Sequence, residues 1–157
     1  MISVFIPVKI KTINGAVVPK YETTGAAGFD LASTEMSIIA PGETTLIGTG
    51  LFMEIPEGYE LQIRPRSGMS VKTKLRVANS PGTIDSDYRG EIKIILTNHG
   101  TDYRTINVGD RIAQGVLAPV YQARFVEVAL MSETERGDGG FGSTGVSHTC
   151  KTNEPNA

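Results

Sequence analysis

A single cysteine, Cys150, rules out a disulfide framework within this chain of 157 residues. The fold must be held by an apolar core instead, and a hydrophobic fraction of 39% is enough to build one in a single domain of this length. The same scarcity points to a reducing compartment, so a cytoplasmic protein is expected, with the nucleus or an organelle open if the source is eukaryotic. Charge of one sign is lacking too: 15 Lys and Arg stand against 17 Asp and Glu. No broad basic surface is available for a nucleic acid polymer, whereas a small anion needs only local Arg side chains and backbone N–H groups. Long apolar runs are also missing. The opening Met1 to Ile6 is cut short by Pro7 and by Lys9 and Lys11, so neither a signal-peptide core nor a membrane span is expected. The two histidines, His99 and His148, are too isolated in sequence to be proposed as metal ligands.

Glycine and proline, by contrast, are abundant. With 18 Gly and 8 Pro, few windows can hold a three-turn amphipathic helix, which predicts a mainly β fold. Short runs rich in β-branched residues predict strands over Val4 to Ile10, Thr44 to Ile55, Tyr59 to Ile63, Glu91 to Asn98, Arg111 to Val120 and Arg124 to Val128. Alternation in Glu60 to Arg64 and in Arg124 to Val128 suggests sheets with one buried face, hence a sandwich or jelly roll. One short helix is predicted over Arg66 to Lys74. From Met131 onward apolar residues thin out and glycine becomes dense. The expected organisation is a body over 1–130 and an arm over 131–157, with a disordered polar tail over 146–157.

Five segments carry chemistry. In Glu135 to Gly145, five glycines surround Arg136 and Phe141. Such a segment can turn successive N–H groups toward an anion, with Ser143 and Thr144 as hydroxyl donors, Arg136 as a phosphate fork and Phe141 as a stacking face. Its spacing is similar to a Walker A loop, but the lysine and the following helix are missing; a plain glycine linker is the alternative. In Gly82 to Ile92, Asp85, Asp87 and Tyr88 stand in what reads as a β-hairpin, where an Asp can activate a water and a Tyr can wall a sugar. A simple polar turn would use the same residues. In Arg64 to Ser70, Arg66 and Ser67 either contact phosphate or decorate a surface turn. The remaining segments are Ala26 to Leu31 and Gly109 to Gln114. In the latter, Gly109-Asp110 signals a turn and Gln114 could donate to a phosphate oxygen, while Asp110 and Arg111 are better read as anchors.

In this order the five segments closely resemble the five motifs of the trimeric dUTPase family, spanning residues 26 to 145. The resemblance implies an all-β jelly-roll or distorted-barrel subunit, in a homotrimer with three sites shared between subunits, whose glycine-rich arm closes a neighbour's site. It implies hydrolysis of dUTP to dUMP and pyrophosphate by water attack at the α-phosphate, limiting uracil in DNA and supplying dUMP for thymidylate synthesis. Asp85 would activate the water and Tyr88 would lie under deoxyribose. Asn79 and the backbone through Thr83, Ile84 and Lys93 would pair with uracil. Arg66, Ser67, Gly68 and Gln114 would hold the triphosphate, and Arg136, Phe141, Gly142 and Ser143 would close over it. Asp30 reads as an organiser rather than a contact. Mg²⁺ would be held by phosphate oxygens and water, because the sequence offers no convincing cage of His or carboxylates.

Met69-Ser70 replaces the more usual Leu-Ala, a substitution a buried Met tolerates. Asn98 to Val108 reads as an ordinary hairpin loop. The rival readings are a dCTP deaminase of the same fold and a non-catalytic regulatory trimer. The first lacks an obvious deaminating Glu between Ile84 and Tyr88, and the second would not need both Asp85 and Arg136.

Overall fold

A computed structural model of the chain describes residues 5–143. Cys150, His148, Thr144, Gly145, the expected tail and the first residue of the expected strand from Val4 lie outside them. Two compact units are present, Met1–Gln122 and Ala123–Ala157. The strands of the first unit are β1 (Lys9–Thr12), β2 (Phe29–Ala32), β3 (Ser37–Ile39), β4 (Thr44–Glu54), β5 (Tyr59–Arg64), β6 (Leu75–Val77), β7 (Gly82–Ile84), β8 (Ile92–Asn98), β9 (Arg104–Ile106) and β10 (Arg111–Pro119). One helix, α1 (Ser67–Lys72), sits between β5 and β6.

These strands form two four-stranded sheets, β1-β4-β8-β6 and β2-β10-β5-β7, and a small β3-β9 pair. All pairings are antiparallel and none closes a sheet on itself. The architecture is a jelly roll of open sheets rather than a closed barrel. Alternation decides which residues face inward. Along β8, Ile92, Ile94, Leu96 and Asn98 are buried while Lys93, Ile95 and Thr97 are more open. The inward residues meet Leu31, Leu61, Ile63 and Ile112 of the other sheet in one core. Each such side chain contributes about 1.5–3 kcal/mol on burial.

Asn98 occupies an inward position where an apolar residue would fit the pattern, and its amide is fully employed. It donates to the carbonyls of Ile39 (3.0 Å) and Asp102 (2.8 Å) and accepts from Gly100 N–H (2.9 Å). The outward face of the same sheet carries Leu46 opposite Ile95, with Leu46 59% exposed. At the edge, Lys9 of β1 pairs with Glu54 of β4 at 3.0 Å, and this ammonium holds the Glu54 carboxyl below the ordinary carboxylate range.

Several expectations are corrected. Arg124 to Val128 forms no strand, and Phe125 and Val126 are 94% and 75% exposed. A strand needs a neighbour for its N–H and C=O groups, and no described residue of this unit supplies one. The first strand starts only at Lys9, beyond Pro7, which has no N–H to give to a ladder. The helix is trimmed to Ser67–Lys72, because Thr73 ends it by turning both its N–H and its hydroxyl onto the Met69 carbonyl. The segment from Asn98 to Val108 is more than a loop, since it contains β9, which pairs with β3. Finally, β7 and β8 do not form a hairpin. They belong to different sheets, β7 pairing with β5 and β8 with β4 and β6, so residues 85–91 make a crossing between the sheets.

Candidate active site

The sheet order β2-β10-β5-β7 places Asp30 beside Gln114 and Gln114 beside Arg64, so three of the five segments meet at one end of this sheet. Pro65 and Arg66 continue outward from β5, and Arg66 turns back onto Asp30. Its Nε donates to Oδ1 at 2.5 Å and its Nη2 to Oδ2 at 3.3 Å, a two-pronged ion pair. Arg111 Nη1 reaches the same Oδ2 at 3.0 Å, and Arg66 Nη1 also approaches the Arg111 carbonyl at 3.4 Å. One carboxylate therefore orders two guanidiniums and neutralises only one of them. Asp30 acts here as an organiser. The partnership of Arg111 with it, 81 positions away, was not legible in the sequence.

Gln114 donates its amide to the Pro65 carbonyl at 2.8 Å, fixing the approach to Arg66. The first segment packs against this amide: a Cβ on Gly28 would stand 2.7 Å from Gln114 Oε1. Ser67 and Gly68 begin α1 in the open, and no atom lies within 4 Å of a Cβ built on Gly68.

The crossing between sheets positions the carboxylate segment. Tyr88 N–H donates to the Asp85 carbonyl at 3.2 Å and closes a turn. The Asp85 side chain is exposed and makes no hydrogen bond or ion pair among the described residues. The Tyr88 hydroxyl donates to the Glu91 carbonyl at 3.0 Å, so its ring is tied down with a face still open, at 43% exposure. The ring lies directly over Gly90, where a Cβ would stand 2.5 Å from Tyr88 Cζ. Asn79 sits against Gly82 at the entry to β7. Ile84, Tyr88 and Lys93 line one groove, Thr83 and Asp85 another, and Arg66 and Gly68 a third.

Glu91, expected only as the first residue of a strand, has a structural duty. It accepts the Gly50 N–H at 2.9 Å on one oxygen and lies 3.5 Å from Lys93 on the other, satisfying the irregularity in the β4–β8 ladder. Among the described residues no three His, Cys, Asp or Glu side chains converge as a metal cage.

In the second unit, the glycine-rich segment is a series of turns. Gly137 N–H donates to the Thr134 carbonyl, Gly139 N–H to Arg136 and Ser143 N–H to Gly140. Arg136 Nε donates to the Gly139 carbonyl at 2.8 Å. Phe141 is fully exposed with φ of 49°. Gly142 follows it within the same run of turns.

The open jelly roll thus carries ordered arginines at one sheet end and, on a turn, a carboxylate unpaired among the described residues, an arrangement able to hold a small anion. The comparisons with known proteins narrow this. The family model described as dUTPase matches residues 14–145. A deoxyuridine 5'-triphosphate nucleotidohydrolase of Nautilia profundicola is 60% identical over 138 residues, covering 87% of this chain and 97% of that protein. The enzyme of the same name from Wolinella succinogenes is 54% identical, covering 88% and 93%. Among solved structures, the Staphylococcus bacteriophage 80alpha dUTPase with dUPNHPP superposes with a TM-score of 0.83 at 30% identity, covering 89% of this chain and 99% of that one. A mutant dUTPase of phage phi11 of S. aureus, described with a coordinated structural Mg(II) ion, gives 0.75 at 26% identity, covering 82% and 100%. The chain belongs to the dUTPase family, and it is a hydrolase whose reaction is the hydrolysis of dUTP.

Proposed function

We propose that this hydrolysis takes place at sites shared between copies of the chain in a homotrimer, with the two halves of each site contributed by different subunits. The supporting observation is the layout of β5. Ile84 pairs with Leu61, so Asp85 continues past one end of the strand, whereas Arg66 follows its other end. The five steps of extended chain from Leu61 to Arg66 span about 17 Å. The carboxylate and the phosphate-type arginine thus face separate grooves on one chain. A second copy would bring one half-site to the other, and the exposed Leu46 and Ile38 are suited to be covered in that contact.

Asp85 is the group that orients and deprotonates the attacking water, because its carboxylate has no other partner among the described residues. The water attacks the α-phosphorus in line, its oxygen forming the new bond to phosphorus as the bond to the bridging oxygen breaks and pyrophosphate departs. Arg66, Ser67, Gly68 and Gln114 hold the triphosphate, with Arg66 kept in orientation by Asp30. Tyr88 walls the deoxyribose and rejects a 2′-hydroxyl. Asn79 and the backbone at Thr83, Ile84 and Lys93 read the uracil edge. Arg136, Phe141, Gly142 and Ser143 close the site from the arm over 131–157, the body being the part over 1–130. Among the described residues no three His, Cys, Asp or Glu side chains converge, so Mg²⁺ would be held by the phosphate oxygens and water and would supply charge neutralisation along the triphosphate. A cytoplasmic location agrees with this chemistry. No described helix is long and apolar enough to cross a membrane.

A deaminase reading has little support: the carboxylate of Glu91, which follows the crossing, is committed to Gly50 and Lys93. The deciding experiment is pyrophosphate release from dUTP, dCTP, dTTP and UTP, each with Mg²⁺ and with excess chelator. Metal-dependent release from dUTP alone is expected. Ammonia from dCTP would mean a deaminase, and no product from any of the four would leave a binding trimer.

A further inference from the structure

The groove that receives Arg66 and Gly68 is larger than those two residues require. It has a volume of about 570 Å³ and continues past them to Lys72, Tyr103, Arg104 and Arg111. Four of its lining residues are cations, Arg66, Lys72, Arg104 and Arg111, and its one acid is Asp110. Asp110 is already committed, because its Oδ2 accepts the Asn107 N–H at 2.8 Å and so fastens its own turn. Asp30 offsets one charge of the Arg66 and Arg111 pair. In a chain of net charge −2, this groove is a local concentration of positive charge.

Arg104 is the unusual member. It stands on β9 opposite Ile39, and the Nε of its guanidinium is buried without a hydrogen-bond partner among the described residues. Neither Arg104 nor Lys72 forms an ion pair among the described residues. A buried, unpaired guanidinium donor costs stability, and an apolar side chain would fill the position more cheaply. A cation kept there in a groove of like charges has an anion as its natural counterpart.

We propose that Lys72 and Arg104 form a second phosphate subsite, contiguous with the Arg66 segment, that takes the oxygens of an inorganic pyrophosphate. Resting on the reading of Arg66 as a triphosphate contact, the subsite gives the leaving diphosphate a place to move to as it parts from the nucleoside monophosphate. Two linked phosphates are the shared chemistry of free pyrophosphate and of the terminal groups of the intact nucleotide. Neither residue activates the water; both act on the phosphate chain alone.

The test is calorimetric titration of the full-length protein with inorganic pyrophosphate, with dUMP and with an α,β-imido analogue of dUTP, using wild type, Arg104→Met and Lys72→Met. Arg104→Met should weaken pyrophosphate at least fivefold and leave dUMP unchanged, and Lys72→Met, exposed on the helix, should weaken it in the same direction. Parallel weakening of the analogue would place the nucleotide's own terminal phosphates in the subsite. An unchanged analogue would identify the released product as its ligand. Unloaded Arg104→Met should melt no lower than wild type, since it relieves an unpaired donor; a lower melting temperature with unaltered pyrophosphate affinity would make Arg104 structural and overturn the proposal. Pyrophosphate affinity unchanged in both variants would overturn it as well. Failure of the main functional reading is separate, because it would show as wild type that binds pyrophosphate and turns over no dUTP.

Discussion

Asp30→Asn is the perturbation that the site geometry predicts in most detail. The substitution keeps shape and removes charge, and it replaces Oδ2 or Oδ1 by an amide nitrogen whose hydrogens point at guanidinium donors. Asp30 and Arg66 are about three-quarters buried, with side-chain exposures of 22% and 25%, while Arg111 is half open at 54%. Hydrogen bonds to charged groups contribute about 1.5–3 kcal/mol, and partial exposure brings the Arg66 pair to about 2 kcal/mol. The more open Arg111 contact adds less than about 1 kcal/mol. For a chain of this length, a loss of about 2 kcal/mol lowers the melting temperature by about 6 to 8 °C. Arg66 would also be released from its orientation, and about 1.4 kcal/mol of lost phosphate binding raises KM for dUTP about tenfold. Because Asp85, proposed to activate the water, is untouched, kcat should fall far less than KM rises. Differential scanning calorimetry with steady-state kinetics measures both effects, and Arg111→Met is the control, with a drop of less than about 3 °C expected. An Asp30→Asn protein that melts with wild type and keeps its KM would refute the idea that Asp30 holds Arg66 in place.

Asp85→Asn should bind the imido analogue as wild type does and lose about 10²- to 10⁴-fold in kcat, since an amide cannot take the proton of water; wild-type turnover in this variant would remove Asp85 from the mechanism. Truncation after Met131 should leave a folded protein by circular dichroism, with a severely reduced rate; if it unfolds, the arm is part of the folding unit. Gly90→Ala should push the Tyr88 ring aside and raise activity on UTP relative to dUTP, a ratio read directly from pyrophosphate release. Lys9→Ala should let the Glu54 carboxyl titrate higher, toward the ordinary range. The Lys9–Glu54 pair stabilises above the unfolded pKa of Glu54 and loses its effect as pH falls through the depressed folded value, so NMR titration of Glu54 in both proteins checks the sign.

Composition and punctuation were enough to read a mainly β fold, because frequent Gly and Pro leave room only for short elements, β-branched runs mark β4, β5, β8 and β10, and alternation registers in β5. The three- and four-residue strands β2, β3, β6, β7 and β9 carry too few positions for any period to emerge, and they are made by their neighbours. Arg124 to Val128 shows the opposite failure: a sound alternating pattern with no strand partner among the described residues. Residues 82–92 have the spacing of a hairpin, yet their strands pair elsewhere, β7 with β5 and β8 with β4 and β6. At the site, residue identity could nominate Asp30, Arg66 and Gln114, but not that Asp30 holds both Arg66 and Arg111, 36 and 81 positions away. Arg104 drew no attention in the sequence, because an unpaired buried donor is a property of packing.

Gly90 has no functional atom of its own, yet the tyrosine ring rests on the space where its side chain would be. On the proposed roles, discrimination between deoxyribose and ribose is stored as an omission, in a place where any added carbon displaces the discriminating group. Such selectivity is easy to erode by point mutation and hard to repair, because only reversion to glycine empties the space again. Lineages of this chain that lose their preference for the deoxynucleotide would then do so as readily through a residue that never meets substrate as through the tyrosine itself.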